Sequence, residues 1–363
     1  MKSATIRKTT WTSKFLKVTN RNMPRNQPHI VDEQLAGKTI AAALKHWQPE
    51  LSWKAARELL AARRVMLNGT PCQDEARRIN SGDVVEVADR PGAKPPQGKD
   101  LCIRFLDEHI VVVEKPAGML TERPAAERVH RHGDPVREPS LDELLPKVIR
   151  EYSGRRLRGD TGFIGIVHRL DRDASGLLVV ARTPIARERL TQQFAARTPS
   201  RIYWAIVAGR LEPQTIRTHI LRDRGDGKRG SIEQLDAEAK AALVKMTSIG
   251  HQSSKPLSLQ DEGQLAITHV KPLTSRRGHT LLECQLETGR TNQIRIHLSE
   301  LGHPICGDVK YGPVTTKVRP PRLALHAIAL QFDHPTTGEP LQFEAEWPEE
   351  LERFWDELPS RWS

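Results

Sequence analysis

Residues 166–182 constrain this chain more than any other stretch. A charged loop from His168 to Gly176 runs without a break into the apolar run 177–181. That run reads as a buried strand. The loop places Asp171 between Arg169 and Arg172. Charges entering a buried strand need a reason, and two are available. One is a carboxylate held ionised at the lip of a sheet for chemistry. The other is a salt-bridged turn, because structural ion pairs perturb carboxylates too. The local spacing fits both.

A polyanionic partner follows from the charge balance. The 363 residues carry 56 Lys and Arg against 45 Asp and Glu, a formal net charge of +11. Such a surplus points to nucleic acid. The length is that of two or three folding units. No apolar run approaches the ~18 residues of a spanning helix, so no membrane is expected. The four cysteines, Cys72, Cys102, Cys284 and Cys306, lie far apart. They suggest neither a disulfide framework nor a zinc site, and a reducing cytoplasm fits.

Residues 1–30 carry Lys2, Arg7, Lys8, Lys14, Lys17, Arg21 and Arg25 with no acid. They read as a basic arm along phosphates, a transit peptide or a disordered tail. Residues 31–88 have a small-domain pattern. Ile40, Ala41, Leu44 and Trp47 recur at helical spacing, and Ser52 is placed to cap a second helix. A short strand over 65–67 enters an Asn68-Gly69 turn, and 84–87 form another strand. Arg57, Arg63, Arg64, Arg77 and Arg78 concentrate charge on this unit. The Pro- and Gly-rich residues 89–100 read as a linker.

From 101 onward the pattern alternates strands and helices. A hairpin is expected over 101–114, followed by Lys115-Pro116-Ala117-Gly118. Lys115 could bind phosphate or simply end the strand. Ser140 and Glu143 form a capping box for a helix over 141–152, and Thr183-Pro184 opens another helix. Leu190, Phe194 and Ala195 supply the buried face of that second helix. A strand over 201–209 alternates Tyr203, Ala205 and Val207 against Ile202, Trp204 and Ile206. Residues 222–263 read as a loop insertion with a helix over 236–246. Further strands are expected at 279–288, 323–332 and 341–345. Helices are expected within 289–298, ended by Gly302, and over 349–358.

There is no phosphate-binding GxxxxGK[ST], no GxGxxG, no GxSxG elbow and no HExxH. The reagents left are Asp171, Tyr203 and nearby arginines. A carboxylate can act as nucleophile or base, a guanidinium can keep it ionised, and a tyrosine can stack on a planar base.

These residues stand in an order that resembles the RluA-type pseudouridine synthases. The resemblance is carried by His168-Arg169-Leu170-Asp171 with Ser175-Gly176-Leu177-Leu178, and by Lys115-Pro116-Ala117-Gly118. Tyr203 with Ala205 and Gly209 belongs to it, as does Thr288-Gly289-Arg290-Thr291 running into Gln293-Ile294-Arg295-Ile296-His297. Gly302-His303-Pro304-Ile305, Gly307-Asp308, Tyr311-Gly312 and Arg322-Leu323-Ala324-Leu325-His326-Ala327 complete it. Residues 31–88 are similar to the α-L RNA-binding module, through Ser52 to Arg57, Arg64 to Gly69 and Ile79 to Val85. Arg63 and Arg64 stand where a glycine usually ends the second helix of that module.

The resemblance implies an α+β fold: a mixed, largely antiparallel sheet with flanking helices around a catalytic cleft, plus a small N-terminal module. The domains would be 1–30, 31–88, the linker 89–100 and a catalytic domain over 101–358. The implied enzyme is an isomerase that turns uridine in RNA into pseudouridine without cofactor or metal, in the cytoplasm and as a monomer. Ribosomal RNA of the large subunit is favoured over tRNA. Asp171 would be the catalytic carboxylate, Tyr203 the stacking residue and Arg295 the partner of Asp171. Arg169, Ile294, Leu323, Lys115 and Arg290 would bind substrate. Arg57, Arg63, Arg64 and Asn68 would serve the RNA-binding module. Ala174, Asn292 and Arg201 depart from the usual Thr, His and Lys. The rival readings are a non-catalytic RNA-binding protein on the same scaffold and a two-carboxylate glycosidase.

Overall fold

The computed structural model describes residues 28–68, 70–88, 94–123, 138–154, 162–222, 229–235, 240, 263–312 and 320–358. Residues 1–27 of the basic arm, the expected helix 236–246 apart from Lys240, most of the loop at 153–165 and part of the linker lie outside the described residues.

Residues 28–88 carry a core of their own. Strands β1 (His29–Ile30), β2 (Val65–Leu67), β3 (Thr70–Pro71) and β4 (Val84–Val87) pair in the order β1-β4-β2-β3. Helices α1 (Ile40–Trp47) and α2 (Trp53–Ala61) pack Ile40, Ala43, Leu44, Ala56 and Leu60 against Val65, Ile79 and Val85. Ser52 caps α2, its Oγ accepting from Ala55 N at 3.0 Å. Helix α2 ends without a glycine. Arg63 takes the left-handed conformation, φ 58°, and the amides of Arg63 and Arg64 close back onto Leu60 and Leu59. That is the usual glycine-type stop made by an arginine, at a cost of about 1 kcal/mol.

The second sheet has eleven strands. Its main path is β11 (Gly230–Ser231), β10 (Gln214–Leu221), β12 (Gln264–Arg276), β13 (His279–Leu286), β9 (Ser200–Ala208), β14 (Leu325–Asp333), β8 (Ser175–Ala181), β6 (Ile110–Lys115), β5 (Cys102–Leu106). β15 (Pro340–Glu344) pairs with β14, and β7 (Gly165–Ile166) with β8. All pairs are antiparallel except β14 with β8, so the sheet is mixed and largely antiparallel. The parallel seam is short, joining only His326 to Ser175 and Ala327 to Gly176.

Strand β8 is apolar from Leu177 onward because it is covered on both faces. Leu178 and Val180 join the large core with Leu141, Leu145 and Val148 of α3 (Leu141–Ser153). Leu177, Val179 and Ala181 join Ala186 and Leu190 of α4 (Pro184–Ala196) on the other side. Ala195 is exposed, contrary to the expectation that it packs; the buried face of α4 is Ala186 and Leu190, with Phe194 half-buried. Helices α5 (Gln293–Glu300) and α6 (Glu349–Glu357) contribute Ile294, Leu298, Leu351 and Phe354 to the large core.

Strands β10 and β12 have no counterpart among the sequence-based expectations. Both flank the insertion. The later half of β12 is largely exposed and interrupted by Pro272 beside a register shift, which weakens its alternation.

Candidate active site

The central loop is built from below. Lys115 ends β6 and is 1% exposed. Its ammonium donates to the carbonyls of Pro116, Met119, Arg172 and Ala174 at 3.0, 2.8, 3.1 and 2.7 Å. Thr121 braces the same loop, its hydroxyl donating to Leu170 O at 2.8 Å and accepting from Leu170 N at 3.2 Å. Gly118 N donates to Arg172 O at 2.8 Å. The backbone on both sides of Asp171 is therefore pinned. Lys115 sits inside the loop that presents Asp171, with its ammonium turned onto carbonyls. Burial pulls that ammonium down to about 7, against the opposing pull of Asp173 and Asp171.

A row across three strands brings Tyr203 to this loop. Ala327 of β14 pairs with Tyr203 of β9 on one side and with Gly176 of β8 on the other. Gly176 has φ 111°, and a Cβ there would lie 2.3 Å from Ala327 O. Only glycine lets β8 close onto β14 at this point. β14 is bulged between Ala327 and Ala329, a common re-aiming device beside active sites. Burial pushes the Tyr203 phenol up to about 12, with Arg201 opposing and the Asp171 charge adding. Tyr203 thus stays a neutral phenol at ordinary pH.

Helix α5 delivers the guanidinium. Arg295 reaches Asp171 with Nη1 3.6 Å from Oδ2. Its closer partner is Asp308, which accepts from Nε and Nη2 at 2.7 and 2.8 Å. Burial works against the Arg295 charge, and the hydrogen bonds and charge of Asp308 more than offset it. Asp308 also accepts from the amides of Lys310 and Tyr311, each at 3.0 Å. The Asp173 carboxyl is pushed up by burial despite Arg295, Arg172 and Lys115 around it.

The remaining sequence-derived candidates divide by exposure. Arg169 is exposed. Ile294 and Leu323 are buried in the same core as Tyr203, 4% and 3% exposed. Arg290 is half-buried, its Nε donating to Leu265 O at 3.0 Å. In residues 28–88, Arg57 is exposed and pairs with Glu75 at 2.7 Å. Arg63 pairs with Glu138 at 2.7 Å. Arg64 donates to Ala88 O at 2.8 Å. Asn68 (φ 52°) braces its own turn, donating to Asp83 Oδ1 at 2.8 Å and accepting from Val84 N at 2.9 Å. Of these four, Arg57 alone has its side chain mostly in solvent.

His168 is a scaffold residue. Its Nε2 accepts from Val179 N at 3.1 Å, its ring stacks on Phe194, and burial with Arg201 pushes it down to about 3. Among the described residues no group of three or more His, Cys, Asp or Glu is arranged to hold a metal. No helix among them is long and apolar enough to cross a membrane.

The RNA pseudouridylate synthase family profile matches residues 109–300, which include Asp171, Tyr203 and Arg295. The chain belongs to the RNA pseudouridylate synthase family. The synthase is 33% identical over 343 residues to ribosomal large subunit pseudouridine synthase D of Zymomonas mobilis, covering 91% of this chain and 96% of that one. It is 31% identical to the protein of the same name from Xanthomonas campestris, covering 91% of each chain. With the Pseudomonas aeruginosa protein it shares 36% identity, covering 70% of this chain and 71% of the relative. The synthase is an isomerase acting on RNA.

Asp308, Asn292, Tyr311 and Asp173 are the site residues that sequence reasoning did not assign. Asp308 and Tyr311 stand within the quoted motifs, but nothing in their spacing shows that they face Arg295. Asn292 was marked only as a departure from a usual His.

Proposed function

We infer that the synthase isomerises specific uridines of large-subunit ribosomal RNA, with Asp171 as the carboxylate that starts the reaction. The observation that carries this reading is the convergence on one carboxylate. The Asp171 side chain is 17% exposed on a pinned loop, Arg295 stands 3.6 Å away, and the row through Tyr203 meets the end of that loop at Gly176. The carboxylate opens the N1–C1′ bond, either by attacking C1′ or by taking the C2′ proton to give a glycal. The freed uracil turns and rejoins through C5, which gives up its proton.

The buried, neutral phenol of Tyr203 suits stacking on the base and does not suit a free phenolate base. Ile294 and Leu323 line the apolar side of the base. The target uridine must leave its stack, at a cost of a few kcal/mol. Arg169, exposed two residues before Asp171, would fill the space it leaves. Arg57 and the basic surplus of the chain supply phosphate attraction.

Large-subunit RNA is favoured over tRNA because relatives so named align over nearly the whole chain. The working form would be a cytoplasmic monomer that needs no cofactor. A non-catalytic RNA-binding protein on this scaffold would have no call to retain Asp171, Tyr203 and Arg295 together. The test is to map pseudouridines in total RNA with and without the gene. A lost position in large-subunit RNA, restored by the wild type and not by Asp171→Asn, supports the reading. Restoration by Asp171→Asn would refute the mechanism, and a lost position in tRNA would refute the substrate.

A further inference from the structure

Arg295 cannot aim Asp171. Its two-pronged face is taken by Asp308, and what remains for Asp171 is one nitrogen at 3.6 Å. That distance gives attraction without a directional hydrogen bond.

Asn292 stands one turn earlier. It begins α5 in the left-handed conformation, φ 60° and ψ 20°, yet its side chain caps no helix amide. One end of its amide lies 3.0 Å from both Asp171 oxygens, and the other lies 3.0 Å from the Tyr311 hydroxyl. An amide oxygen facing two carboxylate oxygens would crowd three acceptors together. Both orientations keep a 3.0 Å hydrogen bond with the Tyr311 hydroxyl, so the crowded one would add only a 3.4 Å contact with Arg295 Nη1. The NH₂ end therefore faces Asp171, one N–H shared between both carboxylate oxygens, and the Tyr311 hydroxyl donates to the amide oxygen. Tyr311 is itself held: its amide donates to Asp308 Oδ1 at 3.0 Å, and its ring lies 5.3 Å from the Arg295 guanidinium carbon.

We propose that Asn292 is a positioning residue of the reaction, its amide oriented by Tyr311 so that one N–H, shared between both oxygens, fixes the direction of the Asp171 carboxylate. The proposal rests on Asp171 being the reacting carboxylate. The frame Asp308–Tyr311–Asn292–Asp171 then divides the labour. Arg295 supplies charge, and Asn292 supplies direction, because an N–H shared between two oxygens lies along their bisector and a distant charge does not fix one.

The experiment uses the full chain and unmodified total RNA from cells lacking the gene, with turnover and RNA affinity measured separately. Asn292→Gly keeps the backbone conformation at no cost and removes the donor. Its kcat should fall about 10- to 100-fold with RNA affinity unchanged, the scale of a misaimed reactive group. Asn292→His tolerates the same backbone and offers a ring N–H, and it should recover most of the loss. Tyr311→Phe should show a smaller fall of the same kind. The proposal is overturned if Asn292→Gly turns over like the wild type, if its loss lies in RNA affinity, or if the His variant is no better than the Gly variant. Asp171→Asn, run in parallel, separates the two failures. If that variant is active, the reading of Asp171 falls; if it is inactive while Asn292→Gly is active, only the role of Asn292 falls.

Discussion

Arg295 binds Asp308 through two hydrogen bonds of 2.7 and 2.8 Å and meets Asp171 through a single 3.6 Å ion pair. Asp308, whose side chain is 1% exposed, is thus the anchor that holds the guanidinium at a fixed remove from the Asp171 carboxylate. Asp308→Asn should lower stability by about 3 kcal/mol, the scale of uncoupling a buried ion pair. It should also release Arg295 toward Asp171 and depress kcat. Chemical denaturation and single-turnover assays check the two effects. A stable variant with full kcat would show that the anchor is dispensable.

Lys115 gives a pH signature. Its folded value of about 7 lies below the ordinary 10.5, with burial the largest cause. Between about pH 7 and 10.5 the unfolded chain holds the proton more tightly than the folded one, so this group favours folding more as pH rises. The contribution is lost as pH falls through about 7. Lys115→Met should remove that slope from a plot of stability against pH. It should also cost about 1–3 kcal/mol for each carbonyl left without a donor. An unchanged slope in urea titrations would rule Lys115 out as its source.

Gly176 is the narrowest point of the sheet. Gly176→Ala forces a Cβ to within 2.3 Å of Ala327 O at a φ that side chains rarely adopt. It should destabilise by about 3 kcal/mol or more, through overpacking against backbone. Because Ala327 also pairs with Tyr203, the variant should lose activity even at temperatures where it remains folded. Thermal melts and turnover at low temperature test this.

Glu138 joins the N-terminal unit to the central loop. One oxygen accepts from Arg63 at 2.7 Å and the other from Arg172 at 3.0 Å. Glu138→Gln should weaken both ties by about 1 kcal/mol in all, since half-exposed pairs contribute little each. The affinity for long structured RNA should fall while that for a short single strand holds. Equal losses on both RNAs would argue against a role in docking the unit.

Much of this was legible in the chain. The caps at Ser52, Ser140 and Thr183, the Asn68 turn and the apolar run of β8 follow from local chemistry, and the structure contains them. Local rules act through neighbours a few residues apart, which a sequence displays directly. Arg63 marks their limit. The missing glycine was visible, but not that an arginine would take the left-handed conformation and reach Glu138.

By itself the sequence determined the strand that carries the loop, the charge surplus that points to nucleic acid, and the motif order that resembles one family. It left open what Lys115, Asn292 and Asp308 touch. Those contacts join residues tens to hundreds of positions apart, or neighbours turned toward a common point by a left-handed residue. Only the register of β8, β14 and β9 and the entry of α5 decide them. A carboxylate beside two arginines reads the same on paper whether it is a salt bridge or a reagent. Tertiary structure adds its surroundings, because burial and the direction of each hydrogen bond depend on which distant groups the sheet brings within 3 to 4 Å.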